Sequence, residues 1–273
     1  MEDLATTVDY DFVVWTADNA RHNKDTDFYP RAWSEVLSET SNLISLIRGS
    51  TGSVPVFPVV GNNDVCGTTG NIVSDTCDND QLAPGVNPVL TDITRAYSSL
   101  LSPTAQTTFQ QYGYYEMTSG PSGTPLGALS ILSLNTVAWM TKNLLDHSCK
   151  AGTPGLAQLD WTPGARALII GHVPASDTVG NHKQCMSGYY NIVAQYPGVI
   201  SGQLFGHLHS DEFMMQFSTA DGVTRYNPAV RVFWYESTTL AIVDFDQYYV
   251  NLDDANAAKK ARKFTLPSSL LPN

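Results

Sequence analysis

The sequence predicts an α/β domain with a mixed sheet or two stacked sheets, on three observations. Apolar runs of strand length alternate with helical periodicity early in the chain, and strands dominate late. No repeat and no linker-like stretch divides the 273 residues, a length that suits one large domain or two ordinary ones, so residues 1–273 read as one domain.

The elements follow in order. DFVVW (11–15) is a short apolar run closed by polar turn residues and reads as a buried strand. From Tyr29 to Arg48, Trp33, Val36, Leu37, Leu43, Ile44 and Ile47 recur at three- and four-residue steps, an amphipathic helix that Gly49 should terminate. VPVFPVV (54–60) is a second strand, ending in GNND, and the Gly-, Asn-, Asp-, Thr- and Pro-rich stretch from Cys66 to Val89 reads as a long loop. TDITRAYSSLL (91–101) begins a helix with Thr91 or Asp92 as its cap. GYYEM (113–117) and GALSILSLN (127–135) read as paired strands turning at SGPSGTP. PGLAQLDW (154–161) is a short helix, RALII (166–170) a buried strand and SGYYNIVAQY (187–196) a helix. ISGQLF (200–205), FMMQF (213–217), RVFWY (231–235) and TTLAIVDF (238–245) follow as strands. Trp15 and Trp161 read as core.

Composition bounds the function. Hydrophobic residues at 42% and charged residues at 15% suffice for a core. A formal charge of −11 argues against nucleic acid or an anionic membrane as partner, since both need a positive patch. No apolar run reaches the roughly 18 residues of a membrane span, and MEDLATTVDYD lacks the basic start and apolar middle of a signal peptide. The four cysteines, at 66, 77, 149 and 185, form no C-x-x-C pair, which weakens zinc-ribbon and redox readings. Their even number favours two disulfides and an oxidising compartment over buried thiols, although no N-x-S/T acceptor is present and three connectivities are open.

The chemistry gathers where strands end. WTADN follows 11–15, GNND follows 54–60, and Gly-His follows both RALII and ISGQLF. Ligand sites in α/β sheets lie at the carboxyl ends of strands. If those ends meet, Asp18, Asn62, Asn63, Asp64, His172, His207 and His209 converge: carboxylate, amide and imidazole donors whose mixed O/N set suits zinc, manganese or iron. The glycines before His172 and His207 permit sharp turns there. A single Gly-His after a strand is ordinarily just a turn, and GNND alone an Asx turn; four such endings in one chain carry the inference.

The order D-x(n)-GNND-x(n)-GHVP-x(n)-GHLH resembles the calcineurin-like metallophosphoesterases, and within them the branch of acid sphingomyelinase-like phosphodiesterases and fungal endopolyphosphatases. DFVVWTADNARHN and VPVFPVVGNNDV look most like the endopolyphosphatases. GHVPASDTVGNHKQC, NIVAQYPGVISGQLFGHLHSDEF and NPAVRVFWYESTTLAIVDFDQYYVNL fit the pattern of the whole branch, so the resemblance covers almost the entire chain. It implies a four-layer αββα sandwich of two mixed sheets, with residues 212–273 completing the second sheet and adding a tail. It also implies two divalent metals, zinc by first expectation with manganese or iron as alternatives, and hydrolysis of a phosphodiester or phosphoanhydride by a metal-activated hydroxide. Asp18 would bridge the metals, Asn62, His172 and His207 would complete one site, and His209 would bind the other metal. His22, four residues beyond Asp18, matches a second active-site histidine and is expected to be the proton donor to the leaving group or a phosphate ligand. Many members carry His directly after the metal-binding Asn; this chain has Asn63 there, as the endopolyphosphatase-like members do, and Asn63 and Arg21 are the expected substrate contacts. His147 and His182 match no motif and read as structural. Cys149 and Cys185 match positions often disulfide-bonded in the branch, and Cys66 can pair with Cys77 across a loop of readily tolerated length. The expected substrates are polyphosphate, a phospholipid headgroup such as that of sphingomyelin, or a nucleotide derivative, with specificity set by loops 63–90 and 173–187.

Two departures qualify the resemblance. Ala17 stands where the family usually has Gly, and an added methyl either fits or strains the turn. The family's opening strand carries D-x-H, two ligands of the first metal, and no D-x-H occurs in this chain. The sequence therefore predicts that the first strand is missing, that Met1 is internal to a longer chain, and that one complete metal site remains here. A signal or anchor upstream would place the protein outside the cell or in a lysosomal or vacuolar lumen. The competing expectation is a truncated, catalytically impaired member that binds a phosphate ligand or a protein.

Overall fold

A computed structural model describes residues 8–23, 30–146, 149, 153–159, 166–209 and 229–249. His147, Trp161 and the strand expected at 213–217 lie outside the described residues. Contacts divide the chain into two units, 1–207 and 208–273.

In the first unit, strand formation follows the apolar runs. Strand β1 (Val13–Trp15) pairs in parallel with β2 (Val56–Pro58), Val13 opposite Val56 and Trp15 opposite Pro58. Every residue from Val56 to Val60 is buried, as a continuous apolar run demands when both faces of a strand are covered. Between β2 and the larger sheet, the expected long loop contains a two-residue hairpin, β3 (Thr68–Thr69) and β4 (Ile72–Val73). A four-stranded sheet then runs in chain order: β5 (Tyr115–Met117), β6 (Leu129–Ser133), β7 (Arg166–Ile170) and β8 (Ile200–Leu204). The first pair is antiparallel and the other two are parallel. A mixed α/β fold of several sheets results, and the Tyr115 hydroxyl ties two of them by donating to the Pro58 carbonyl at 2.7 Å.

The helices correct several expected boundaries. Helix α1 (Trp33–Thr51) runs past Gly49, because the stop is supplied three residues later by Gly52 at φ 59°, whose N–H donates to the Arg48 carbonyl. Helix α2 (Pro88–Ala96) starts before Thr91 and Asp92: Asn87 is its cap, accepting from Leu90 N at 2.9 Å, with Pro88 in the first turn. Helix α3 (Pro103–Tyr112) was not anticipated, although Ser102-Pro103 at its start and left-handed Gly113 at its end are the signals that mark it. Helix α4 (Pro154–Ala157) is the short helix expected, and α5 (Lys183–Gln195) starts four residues earlier than its apolar pattern suggested.

Helix α5 crosses from β7 to β8 and closes the core. Cys185, Met186 and Tyr189 on α5 pack with Leu132, Leu134 and Ile169 of the sheet region and with Trp139 and Leu159; each fully buried apolar side chain of this kind contributes about 1.5–3 kcal/mol. The disulfide Cys149–Cys185 lies in this cluster, and Cys66–Cys77 closes the loop after GNND. Trp15 is half-buried rather than fully so, its ring 5.8 Å from that of Tyr97. In the second unit, β9 (Ala229–Tyr235) and β10 (Ile242–Tyr249) form an antiparallel pair with a register shift between Ile242 and Asp244.

Candidate metal centre

Four strands of the first unit, β1, β2, β7 and β8, deliver their carboxyl ends to one place. After β1 the chain enters the left-handed region twice in succession, at Ala17 (φ 68°) and Asp18 (φ 60°). Consecutive non-glycine residues there are strained and persist only when their surroundings hold them. Asp64, 1% exposed, does so: its carboxylate accepts from the N–H groups of Asp18 (2.9 Å), Asn19 (2.7 Å) and Gly61 (3.0 Å). Burial, with the Asp18 charge beside it, pushes the Asp64 carboxyl up, against the pull of those amides. The methyl of Ala17 is thus accommodated in a conformation suited to glycine. Ala17→Gly is expected to stabilise the fold by roughly 0.5–1 kcal/mol, the left-handed strain less the extra unfolded-state entropy of Gly, read as a rise in urea midpoint with unchanged slope.

Gly171 and Gly206 serve a different purpose from the one their position suggested. The positive φ falls on His207 itself (72°), and both glycines answer to crowding. A Cβ on Gly171 would lie 2.8 Å from Phe205, and one on Gly206 would lie 3.0 Å from Thr16 Oγ1. Strand-end loops that approach this closely bring their side chains together.

The donors meet around Asn62. Its Oδ1 lies 2.9 Å from His172 Nε2 and 2.9 Å from His207 Nδ1. The two ring nitrogens are 3.3 Å apart, and Asp18 Oδ2 is 3.1 Å from His172 Nε2. His172 is 1% exposed. Its Nδ1 stands 2.6 Å from the Thr16 carbonyl, which can only accept, so Nδ1 carries a proton and Nε2 faces the cluster. When the ring is neutral, lone pairs of its nitrogen, the Asn62 amide oxygen and the Asp18 carboxylate therefore converge, and His207 Nδ1 adds another in the tautomer that carries its proton on Nε2. That arrangement fits a cation: bonds of about 2.0–2.1 Å in a tetrahedron place donors roughly 3.3 Å apart. Burial pushes the His172 imidazole down, but its hydrogen bond to Asp18 and that carboxylate's charge outweigh burial and hold it above the ordinary value. For Asp18, burial pushes up, and the His172 hydrogen bond and charge, with the Asn63 N–H, hold it below.

Partners fix each donor. Asn63, 2% exposed, grips both oxygens of Asp18 through its backbone N–H (2.9 Å) and its Nδ2 (2.8 Å), while Asn79 donates to its Oδ1. Arg21 forks onto Glu35, with Nε 2.6 Å from Oε1 and Nη2 3.1 Å from Oε2. His22 is exposed, its Nδ1 3.3 Å from Asn79 Nδ2, and it lines one cleft of about 600 Å³ with Asn62 and His207. His182 precedes helix α5, half-buried, its N–H donating to the Trp139 carbonyl. His209, exposed at φ 55°, belongs to the second unit.

Two contributors escaped the sequence reading. Arg31 is 0% exposed and donates to the carbonyls of Arg21 (2.8 Å), Asn63 (2.7 Å) and Val65 (3.3 Å), while its own carbonyl accepts from Cys77 N at 2.8 Å. It braces three loops at once: that of Asp18, that of Asn62, and the disulfide-closed one. Burial lowers its guanidinium and the Asp64 charge opposes that. A lone Arg after Pro30 carries no pattern by which it could be found. Asp80, on Asn62, is the second.

No family model matches the chain. It is 30% identical to the human acid sphingomyelinase-like phosphodiesterase 3b over 90% of this chain and 58% of that protein. It is 27% identical to sphingomyelinase phosphodiesterase C of Dictyostelium discoideum over 89% of this chain and 58% of that protein. An endopolyphosphatase of Cryptococcus neoformans is 28% identical over 74% of this chain and 29% of its own length. The chain thus spans less than two thirds of these curated relatives.

Proposed function

We propose that this chain, whose homologues are acid sphingomyelinase-like phosphodiesterases and endopolyphosphatases of the calcineurin-like metallophosphoesterase branch, hydrolyses phosphoric esters at a divalent-metal centre held by Asp18, Asn62, His172 and His207. The observation that carries the reading is the convergence of His172 Nε2 and His207 Nδ1 on Asn62 Oδ1, each at 2.9 Å, with Asp18 Oδ2 3.1 Å from His172 Nε2. A divalent cation held by these residues, zinc, manganese or iron by the donor set, would supply Lewis-acid polarisation of the phosphoryl oxygens and lower the pKa of water.

The side chains do the rest. Asn63 holds the Asp18 carboxylate in one orientation, and Thr16 holds the His172 ring. His22, which lines the same cleft as Asn62 and His207, is the residue proposed to give the departing oxygen its proton. The cleft walls favour one class of ester. Among the described lining residues Lys142 is the sole lysine or arginine, and Asp78 and Asp80 oppose it. A polyphosphate chain carries a charge on every unit and would meet those carboxylates, whereas a phosphodiester carries a single charge. A phosphodiester with a neutral or zwitterionic leaving group is therefore the proposed substrate. The two disulfides support an extracellular or lysosomal/vacuolar lumen setting, and among the described residues no helix is long and apolar enough to cross a membrane.

The test is the rate of the zinc-loaded protein on a chromogenic phosphodiester, sphingomyelin and polyphosphate. Hydrolysis of a diester, faster than that of polyphosphate and reduced about 100-fold or more in His207→Ala, is the expected result. Inactivity on all three with metal bound would sink the proposal.

A further inference from the structure

We infer that Asp80 is a positioning residue that selects which face of the Asn62 amide meets the metal; this rests on the metal-centre reading above. An asparagine side chain is nearly the same shape either way round, with a donor NH2 and an acceptor oxygen exchanged by a half-turn about its last bond. Only the oxygen can bind a cation. A flipped Asn62 would point two N–H donors at His172 Nε2 and His207 Nδ1, capping their lone pairs and closing the site.

What decides the orientation is the partner on the far side of the amide. Asn62 Nδ2 donates to Asp80 Oδ1 at 2.8 Å, and Asp80 N returns a hydrogen bond to the Asn62 carbonyl at 2.9 Å. An ionised carboxylate only accepts, so the flipped amide would set its oxygen against Asp80 and lose a charge-assisted bond. Asp80 thus reads the amide as a donor and leaves Oδ1 to the histidines. It stands outside the convergent group Asp18, His172 and His207, so it acts through Asn62.

The backbone is arranged to keep it there. The chain leaves Asn62, passes through the loop closed by Cys66–Cys77, and returns on Asn62 with Asp80 at φ 70°. That conformation, uncommon for a residue with a side chain, places N–H and carboxylate on the same neighbour. Partners behind a ligand that fix its orientation typically govern metal affinity by about 10–100-fold.

The discriminating variant is Asp80→Asn, which preserves shape and tolerates the left-handed conformation at least as well, but presents an amide that can donate or accept and so no longer dictates the orientation of Asn62. Cobalt(II) titration followed by visible absorption, in the otherwise unaltered protein, should show affinity lowered about 10–100-fold with the thermal midpoint little changed. The same substitution is then made in Asn62→Asp, where either ligand oxygen serves and nothing needs orienting. There Asp80→Asn should leave cobalt affinity unchanged or raise it, since a like charge is removed, a coupling that a merely structural role would not produce. Equal affinity of Asp80→Asn and the unaltered protein, or the same loss in both backgrounds, would overturn the inference while leaving the metal centre intact. Failure of the unaltered protein to bind cobalt would overturn both.

Discussion

Replacing Arg31 with methionine is expected to cost about 3–5 kcal/mol of folding stability, the scale on which breaking a buried, partnered charge is felt. Methionine fills much of the volume but leaves the carbonyls of Arg21, Asn63 and Val65 without their donor, and Asp64 without the positive charge beside it. Each buried acceptor so stranded costs about 1–3 kcal/mol. Arg31→Lys should fall between, because an ammonium keeps the charge but cannot fork to two loops. Urea denaturation of the three proteins measures this. A loss under about 1 kcal/mol for methionine would mean that the loops are held by something other than Arg31.

Gly61→Ala is expected to abolish tight metal binding. A Cβ at this position would sit 2.4 Å from Asp18 Oδ1, 2.6 Å from Asp18 N and 2.8 Å from Asp64 Oδ2. One of those contacts is backbone, so relief cannot come from turning a flexible side chain. The GNND turn must move away from the Asp18 turn, and Asn63 then loses its grip on the Asp18 carboxylate. Metal affinity should fall about 100-fold or more, read by competition against a chromogenic chelator, with hydrolysis falling in step. Retention of affinity within a few-fold would show that the two turns have slack the structure does not display. In Ala17→Gly, by contrast, the side chain is removed from a residue already in the left-handed region, and stability should rise.

Much of this centre was legible in the chain. The runs DFVVW, VPVFPVV, RALII and ISGQLF each end in a polar group, and the structure brings Asp18, Asn62, His172 and His207 of those endings together. Helix limits were read less well. Gly49 looked like a stop and Gly52 is one, because the left-handed residue must follow the last residue that can still bond back, and periodicity does not report where that is. Asn87 rather than Thr91 or Asp92 caps α2 because Pro88 behind it suits the first turn and no other.

Which strand ends carry donors, and of what chemistry, can be read from the chain alone, since strand length, apolar runs and ligand type are local properties. Which lone pair of each donor faces inward depends on partners distant in the chain. The ring of His172 is set by a carbonyl 156 residues away at Thr16, the amide of Asn62 by Asp80, and the Asp18 turn by Asp64, 46 residues on. Arg31 ties the loops of these residues through backbone carbonyls, which every residue possesses. A hydrogen bond to a main-chain oxygen leaves no mark in the identity of its acceptor, and so only the folded chain reveals it.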